Sequence, residues 1–195
     1  RATLLGVQST TMSLSAMTSS FEEALANCIR MICDIMHWPI GHAYHYDAET
    51  RKLVSSSIWT MRHPEKYPRF RDVSASTSFA SGEGVPGQIW ERGKPTWFDT
   101  LSDPRFDLLG GEPLPLEGAF GFPVFVDGEL QAVVEFFSPA PAAPNDQMLR
   151  LAGSLGGQLG RLAERRRRNE ERAWTAAIVE SSYDAIISKD LDGRI

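Results

Sequence analysis

Residues 82–87 read GEGVPG, a literal match to the G-x-G-x-x-G pattern that cradles phosphates. In a dinucleotide site those glycines follow an apolar parallel strand and open a long helix within a βαβ unit. Here the preceding stretch is polar, Pro86 sits inside the turn, and only about two helical turns fit before Gly93. The segment therefore reads as a structural turn that starts a short helix. The four histidines are His37, His42, His45 and His63, and none forms an HxxxH or HExxH pair. His42 and His45 fall on opposite faces of one predicted strand. No G-x-S-x-G elbow supports a serine nucleophile. Cys28 and Cys33 lie five apart on a predicted helix, ~140° around its axis, so they diverge and do not pair. No metal-ligand spacing is present either. Catalysis and metal binding thus have no local signature.

Aromatic residues are more informative. Trp59, Phe79, Trp90, Trp97, Phe98, Phe106, Phe120 and Phe122 crowd the middle third of the chain. Core packing accounts for most such clusters. A long loop over residues 99–115, rich in Asp, Pro and Gly, also suits the roof of a small-molecule pocket. Trp59, Phe79, Trp97, Phe106 and Phe120 are the expected lining, between the sheet and residues 82–115. The arginines at 165–168 are interleaved with Glu164, Glu170 and Glu171, which reads as a solvated helix face rather than a phosphate site.

The elements that must position these residues follow from periodicity. Residues 1–18 are a weakly periodic helical lead-in. Ser20 and Glu23 form a capping-box pattern, and Phe21, Leu25, Cys28, Ile32 and Ile35 recur at helical spacing up to Trp38-Pro39. Residues 41–47 and 53–60 then read as strands around a polar turn. Residues 61–73 read as a loop with a helical turn, and 74–80 as a third strand. A short strand at 96–98 follows the glycine turn and its helix. Residues 118–126 and 129–138 form a hairpin about Asp127-Gly128. A long helix then begins near Asn145, and Leu155, Leu159, Leu162, Arg166 and Asn169 alternate along it at steps of four and three. That is a heptad seam, predicting a parallel homodimer through residues 145–176. The glycines at 153, 156, 157 and 160 either permit close approach or loosen the junction. The order predicts an α+β fold with a five- or six-stranded antiparallel sheet, its first and last helices on one face, and residues 61–115 over the other.

Composition sets the outer bounds. Hydrophobic residues make up 42% and charged residues 23% of 195, an ordinary globular mix. The net charge of −5 gives no bulk attraction to nucleic acid or an anionic membrane. No apolar run is long enough to span a bilayer, and two unpaired thiols suit a reducing, cytoplasmic setting.

Residues 82–97 (GEGVPGQIWERGKPTW) closely resemble the characteristic stretch of GAF domains of bacterial signalling proteins. Trp38 with residues 41–47 (GHAYHYD), residues 120–124 (FGFPV) and residues 133–138 (VVEFFS) fit the same pattern, so that the resemblance covers 19–165. Residues 177–195 resemble the opening helix and first strand pair of a PAS domain. Together they imply a sensory module of a sensor histidine kinase or cyclic-di-GMP enzyme, relaying to a PAS and output domain. Carried over residue by residue, the family's better-known ligands do not follow. Bilin-holding members use a pocket cysteine, whereas Cys28 and Cys33 lie in the first helix. The Asn-Lys…Phe…Asp-Glu pattern of cyclic-nucleotide binders is absent, and so are the pocket-loop cysteines of free-methionine-sulfoxide reductases. The resemblance therefore implies a non-enzymatic sensor with an unidentified ligand. The alternative is a ligand-free dimerisation module that spaces its neighbours.

Overall fold

The computed structural model describes residues 20–102, 106 and 115–191, with side chains through 177. The lead-in at 1–18 and most of the 99–115 loop lie outside the described residues. Helix α1 (Phe21–Met36) opens as its capping signal requires, Ser20 Oγ accepting from the Glu23 amide at 3.1 Å. It ends at His37, whose left-handed backbone lets the Trp38 amide donate back to the Cys33 carbonyl. Its apolar stripe, Phe21, Leu25, Cys28, Ile29 and Ile32, is buried throughout.

Strands β1 (Ile40–Asp47) and β2 (Lys52–Met61) form the first hairpin. A 3-10 turn (Pro64–Lys66), helix α2 (Pro68–Ser76) and helix α3 (Gly84–Arg92) follow, then the short strand β3 (Thr96–Phe98). Strands β4 (Gly118–Val126) and β5 (Glu129–Ser138) form the second hairpin, with Asp127 and Gly128 both at positive φ in its turn. Helix α4 (Asp146–Leu191) starts on Asn145, whose Oδ1 accepts from the Met148 amide at 3.0 Å. The five strands make one antiparallel sheet in the order β2-β1-β5-β4-β3.

The sheet separates two apolar clusters. On one face α1 and α4 pack over Phe120, Phe122, Val124 and Phe136. On the other, α2, α3 and Phe106 cover Tyr44, Leu53, Val133 and Phe137. Terminal helices on one face, with α2, α3 and Phe106 over the other, is the arrangement predicted from the element order.

Two expectations change. Residues 74–80 are not a third strand. Pro68 starts a helix that runs through Ser76, whose hydroxyl and that of Thr77 bond carbonyls of the last turn. Only an isolated bridge between Leu53 and Phe79 is sheet-like there. Residues 177–191 continue α4, and the rest of the segment likened to a PAS domain, residues 192–195, lies outside the described residues. Finally, Leu155 and Leu159 are 1% and 3% exposed, spent on their own chain's core. Leu162 is partly buried against that core, Arg166 pairs with Glu22 of α1, and Asn169 is exposed. The upper seam is therefore the face α4 lays on β4. Gly156 and Gly160 belong to it: a Cβ at Gly160 would stand 2.2 Å from the Phe125 carbonyl oxygen. Close approach is thus their role, against a strand rather than against another helix.

Candidate functional site

Pairing register aligns one row of residues across the sheet. Trp59 of β2 lies opposite His42 of β1, His42 opposite Glu135 of β5, Glu135 opposite Gly121 of β4, and Gly121 opposite Thr96 of β3. In a pleated sheet, directly paired residues share a face. This row sits on the face away from α1 and α4, with Tyr44 two residues along β1. The β1–β2 pairing is irregular between His42 and Tyr44. Bulges of this kind re-aim side chains, and here Ser55 and Ser56 come beside His42. Its Nε2 lies 3.0 Å from Ser55 Oγ and 3.4 Å from the Ser56 carbonyl oxygen. The imidazole stacks flat on Trp59 at 3.5 Å and meets the Tyr44 ring edge-on at 4.3 Å.

Covering residues close over this row. Phe70 of α2 packs against Phe137 and Trp59, and Phe79 meets Tyr44 at 5.4 Å. Ser74 of α2 and Gln88 of α3 are buried with them. The turn at 82–87 opens α3 as read from the sequence: a Cβ at Gly87 would strike the Ala80 carbonyl oxygen at 2.2 Å. Glycine is needed there for packing, with no phosphate invoked.

The polar atoms of this face are poorly satisfied. His42 Nδ1, Glu135 Oε2, Tyr44 Oη, Ser74 Oγ and Gln88 Nε2 are buried with no hydrogen-bond partner among the described residues. His42 Nδ1 stands 3.5 Å from Glu135 Oε1, beyond an ordinary hydrogen bond. A buried unsatisfied polar atom costs about 1–3 kcal/mol, and the Tyr44 hydroxyl lies near enough to Ser74 and Glu135 to interact with both, at less than ideal geometry. Burial also sets the charge state. It pushes the Glu135 carboxyl up to about 8 and the His42 imidazole down to about 3. The Tyr44 phenol is raised by the same cause, reinforced by the nearby Glu135 carboxylate. All three are uncharged near neutral pH.

Of the aromatic residues singled out in the sequence, Trp59, Phe79 and Phe106 lie on this face. Trp97 and Phe120 do not. They stack on each other at 5.1 Å on the helix side, against Trp38, and Trp97 Nε1 donates to the Ala142 carbonyl at 2.6 Å. Strand alternation explains the split, because Trp97 pairs with Phe120 while their neighbours Thr96 and Gly121 take the other face. The sheet therefore divides the five residues expected to form one lining. His42, Tyr44, Glu135, Ser74 and Gln88 were missed. Glu135 did carry a signal, as the lone charged residue in the apolar run 132–137.

Other expectations concern the cysteines, arginines and histidines. Cys28 and Cys33 are unpaired and buried on the helix side, where burial pushes both thiols up to about 12. Arg167 pairs with Asp127 and Arg168 with Glu164, the interleaved face the charge pattern implied. His45 faces the helices, 6.5 Å from Phe21, opposite to His42. No helix among the described residues is long and apolar enough to cross a membrane.

Comparison with known proteins agrees with this geometry. Residues 18–163 match the family described as GAF domain. No curated protein matches. Among solved structures, the free methionine-R-sulfoxide reductase of Neisseria meningitidis is 20% identical, with 80% of this chain and 86% of that chain covered and a TM-score of 0.65. The GAF domain of an Acinetobacter phosphoenolpyruvate-protein phosphotransferase is 17% identical, with 83% and 92% covered and a TM-score of 0.66. A domain of a putative two-component sensor histidine kinase from Sinorhizobium meliloti is 15% identical, with 80% and 99% covered and a TM-score of 0.58. At these identities the likeness is one of fold. With its sheet order, its paired terminal helices and a family match from residue 18 to 163, the chain belongs to the GAF domain family.

Proposed function

We propose that this GAF domain is a regulatory module whose sheet face binds a small polar molecule and whose long helix passes the bound state onward. The observation that carries this reading is the set of five buried, unpartnered polar atoms on or over one side of the sheet. The route outward is short. Glu135 lies on β5, β5 pairs with β4 along its whole length, and α4 packs on β4 through Leu155 and Leu159. A ligand that shifts β5 would bear on the helix directly. The setting we infer is a multidomain signalling protein of the sensor-kinase or cyclic-di-GMP type, with a PAS domain after residue 177 and a parallel pair of α4 helices. The likeness to a sensor-kinase domain supports that context.

The reading assigns binding without catalysis. The reductase fold neighbour raises the question of thiol chemistry. Here both thiols are held protonated by burial, across the sheet from the polar row. Cys28→Ser and Cys33→Ser should accordingly leave ligand binding unchanged.

The test is native mass spectrometry of gently purified protein, together with thermal shifts across a metabolite panel. A ligand at 100 times its Kd stabilises the folded state by about 2.7 kcal/mol. A saturable shift lost in Tyr44→Phe or Glu135→Gln supports the reading. No adduct and no shift from any compound would leave the ligand-free dimerisation module as the better account.

A further inference from the structure

Within the paired-helix reading, on which the inference rests, the charges along α4 say how two copies meet. The four-three row of α4 passes from core to solvent at one residue. Leu155 and Leu159 are buried in their own chain, Leu162 is partly buried, and Asn169 and Ala173 are exposed. Arg166 stands between them, half-exposed. In a parallel pair a seam residue faces its own copy, and two bare arginines there would repel. Arg166 is not bare. Its Nη1 donates to Glu22 in the first turn of α1, and its Nε donates to Glu170 Oε1 at 2.7 Å. The Glu22–Arg166 pair also sits where α1, α4 and the sheet meet. Burial lowers the His45 imidazole of β1, and the charges of Glu22 and Arg166 act on it in opposite senses. Phe21, beside Glu22, lies 6.5 Å from the same ring.

The residues bordering the seam add direction. Arg165 and Arg172 flank it on one side and Glu170 on the other. Arg165 has no ion pair among the described residues. In a parallel, in-register pair, bordering residues five apart meet across the seam, so Arg165 of one copy faces Glu170 of the other. In an antiparallel pair each border meets its own kind, which sets arginine against arginine.

We propose that Glu22 of α1 is the latch of a parallel, in-register pair of α4 helices from two copies of this chain. By neutralising Arg166 it lets both copies bring that layer together. A shift of α1 or β1 that draws Glu22 away leaves two arginines facing each other and loosens the pair. Glu22 is thus a positioning residue, which converts the arrangement of the domain into affinity between helices.

Sedimentation equilibrium on the full chain, at low and high salt, measures the dimer Kd. Glu22→Gln should weaken the dimer about three- to tenfold, because each copy loses its pair. The melting of the domain should stay where it is. Lowering the salt should weaken the Glu22→Gln dimer more than the unmodified one, since the arginines then repel unscreened. Arg166→Leu should tighten the dimer about tenfold, and Glu22→Gln added to it should change nothing further. Asn169→Cys, oxidised in the native state, should give a cross-linked dimer, the native thiols being buried. A cross-linked dimer indifferent to Glu22→Gln, or not tightened by Arg166→Leu, overturns the latch and leaves the parallel pair. A dimer that does not cross-link through residue 169 overturns the register and the latch with it. A strict monomer at high micromolar concentration overturns the pairing itself.

Discussion

His42 and Glu135 are perturbed in opposite senses by one cause, and that fixes how stability follows pH. Burial raises Glu135 from an ordinary 4.5 to about 8, so the folded state holds a proton that the unfolded chain gives up above 4.5. Stability from this group is fully present below 4.5 and is lost as pH climbs to 8. Burial lowers His42 from 6.5 to about 3, so its contribution is lost as pH falls from 6.5 to 3. Together they predict a rise from pH 3 to 4.5, a level stretch to 6.5, and a fall from 6.5 to 8. The limiting slope is ~1.4 kcal/mol per pH unit. Urea unfolding of Glu135→Gln beside the unmodified protein isolates the carboxyl, because other titrations cancel in the difference. The variant should lose the fall above pH 6.5, and a parallel pair of curves would mean Glu135 is ionised in the free protein. The two faces of the sheet separate just as sharply. Trp97→Ala should cost about 2–4 kcal/mol by packing loss and leave any ligand shift intact, whereas Trp59→Ala should weaken the ligand. This residue-scale division was only partly legible in the sequence. Aromatic clustering marks burial, but which face each ring takes depends on strand register, and the buried polar groups come from two strands and two helices spread along the chain.

At the scale of elements, the legible parts were those that specify themselves locally. The Ser20 cap, the Asp127-Gly128 turn and the hydrophobic stripe of α1 all carry their own geometry. What periodicity does not specify is the partner. The four-three spacing of α4 is equally suited to a second helix or to a sheet, and here Leu155 and Leu159 meet β4. The serine-rich stretch around α2 is a similar case, since its hydroxyls cap the helix's own carbonyls instead of populating a strand. The glycines of α4 then sort by face. Gly160→Ala must push against the Phe125 carbonyl and should destabilise by about 1–3 kcal/mol. Gly157 is exposed, with only the flexible Arg161 side chain nearby, so Gly157→Ala should stabilise by ~0.5–1 kcal/mol through helix propensity. Thermal melts of the pair test this, and equal effects at both positions would refute the assignment of faces.

At the scale of the whole molecule, α4 does two jobs along its length. Its first part is a wall of the domain, while residues 165–177 are exposed, with Arg166 paired to Glu22 and Arg167 to Asp127. A helix standing free over that length is marginal in water. Trp174, 71% exposed, is the one large apolar side chain of the described residues left to solvent. These facts favour pairing of the distal helix with a second copy, over a seam that begins after the core-bound leucines and includes Asn169, Ala173 and Ala176. A polar, alanine-rich seam of this kind implies weak association, in the micromolar range or about −8 kcal/mol. Trp174→Arg should weaken it without lowering the melting temperature of the domain. Asn169→Leu should strengthen it, because an inward asparagine sets register at a cost in stability. Leu155→Ala discriminates the two halves of the helix: it should unfold the domain by ~3–5 kcal/mol instead of dissociating a dimer. Light scattering across a concentration series reads all three. A strict monomer at high micromolar concentration would remove the dimer. An antiparallel pair would remove the relay, since two helices running oppositely cannot hand one signal to a pair of neighbours on the same side.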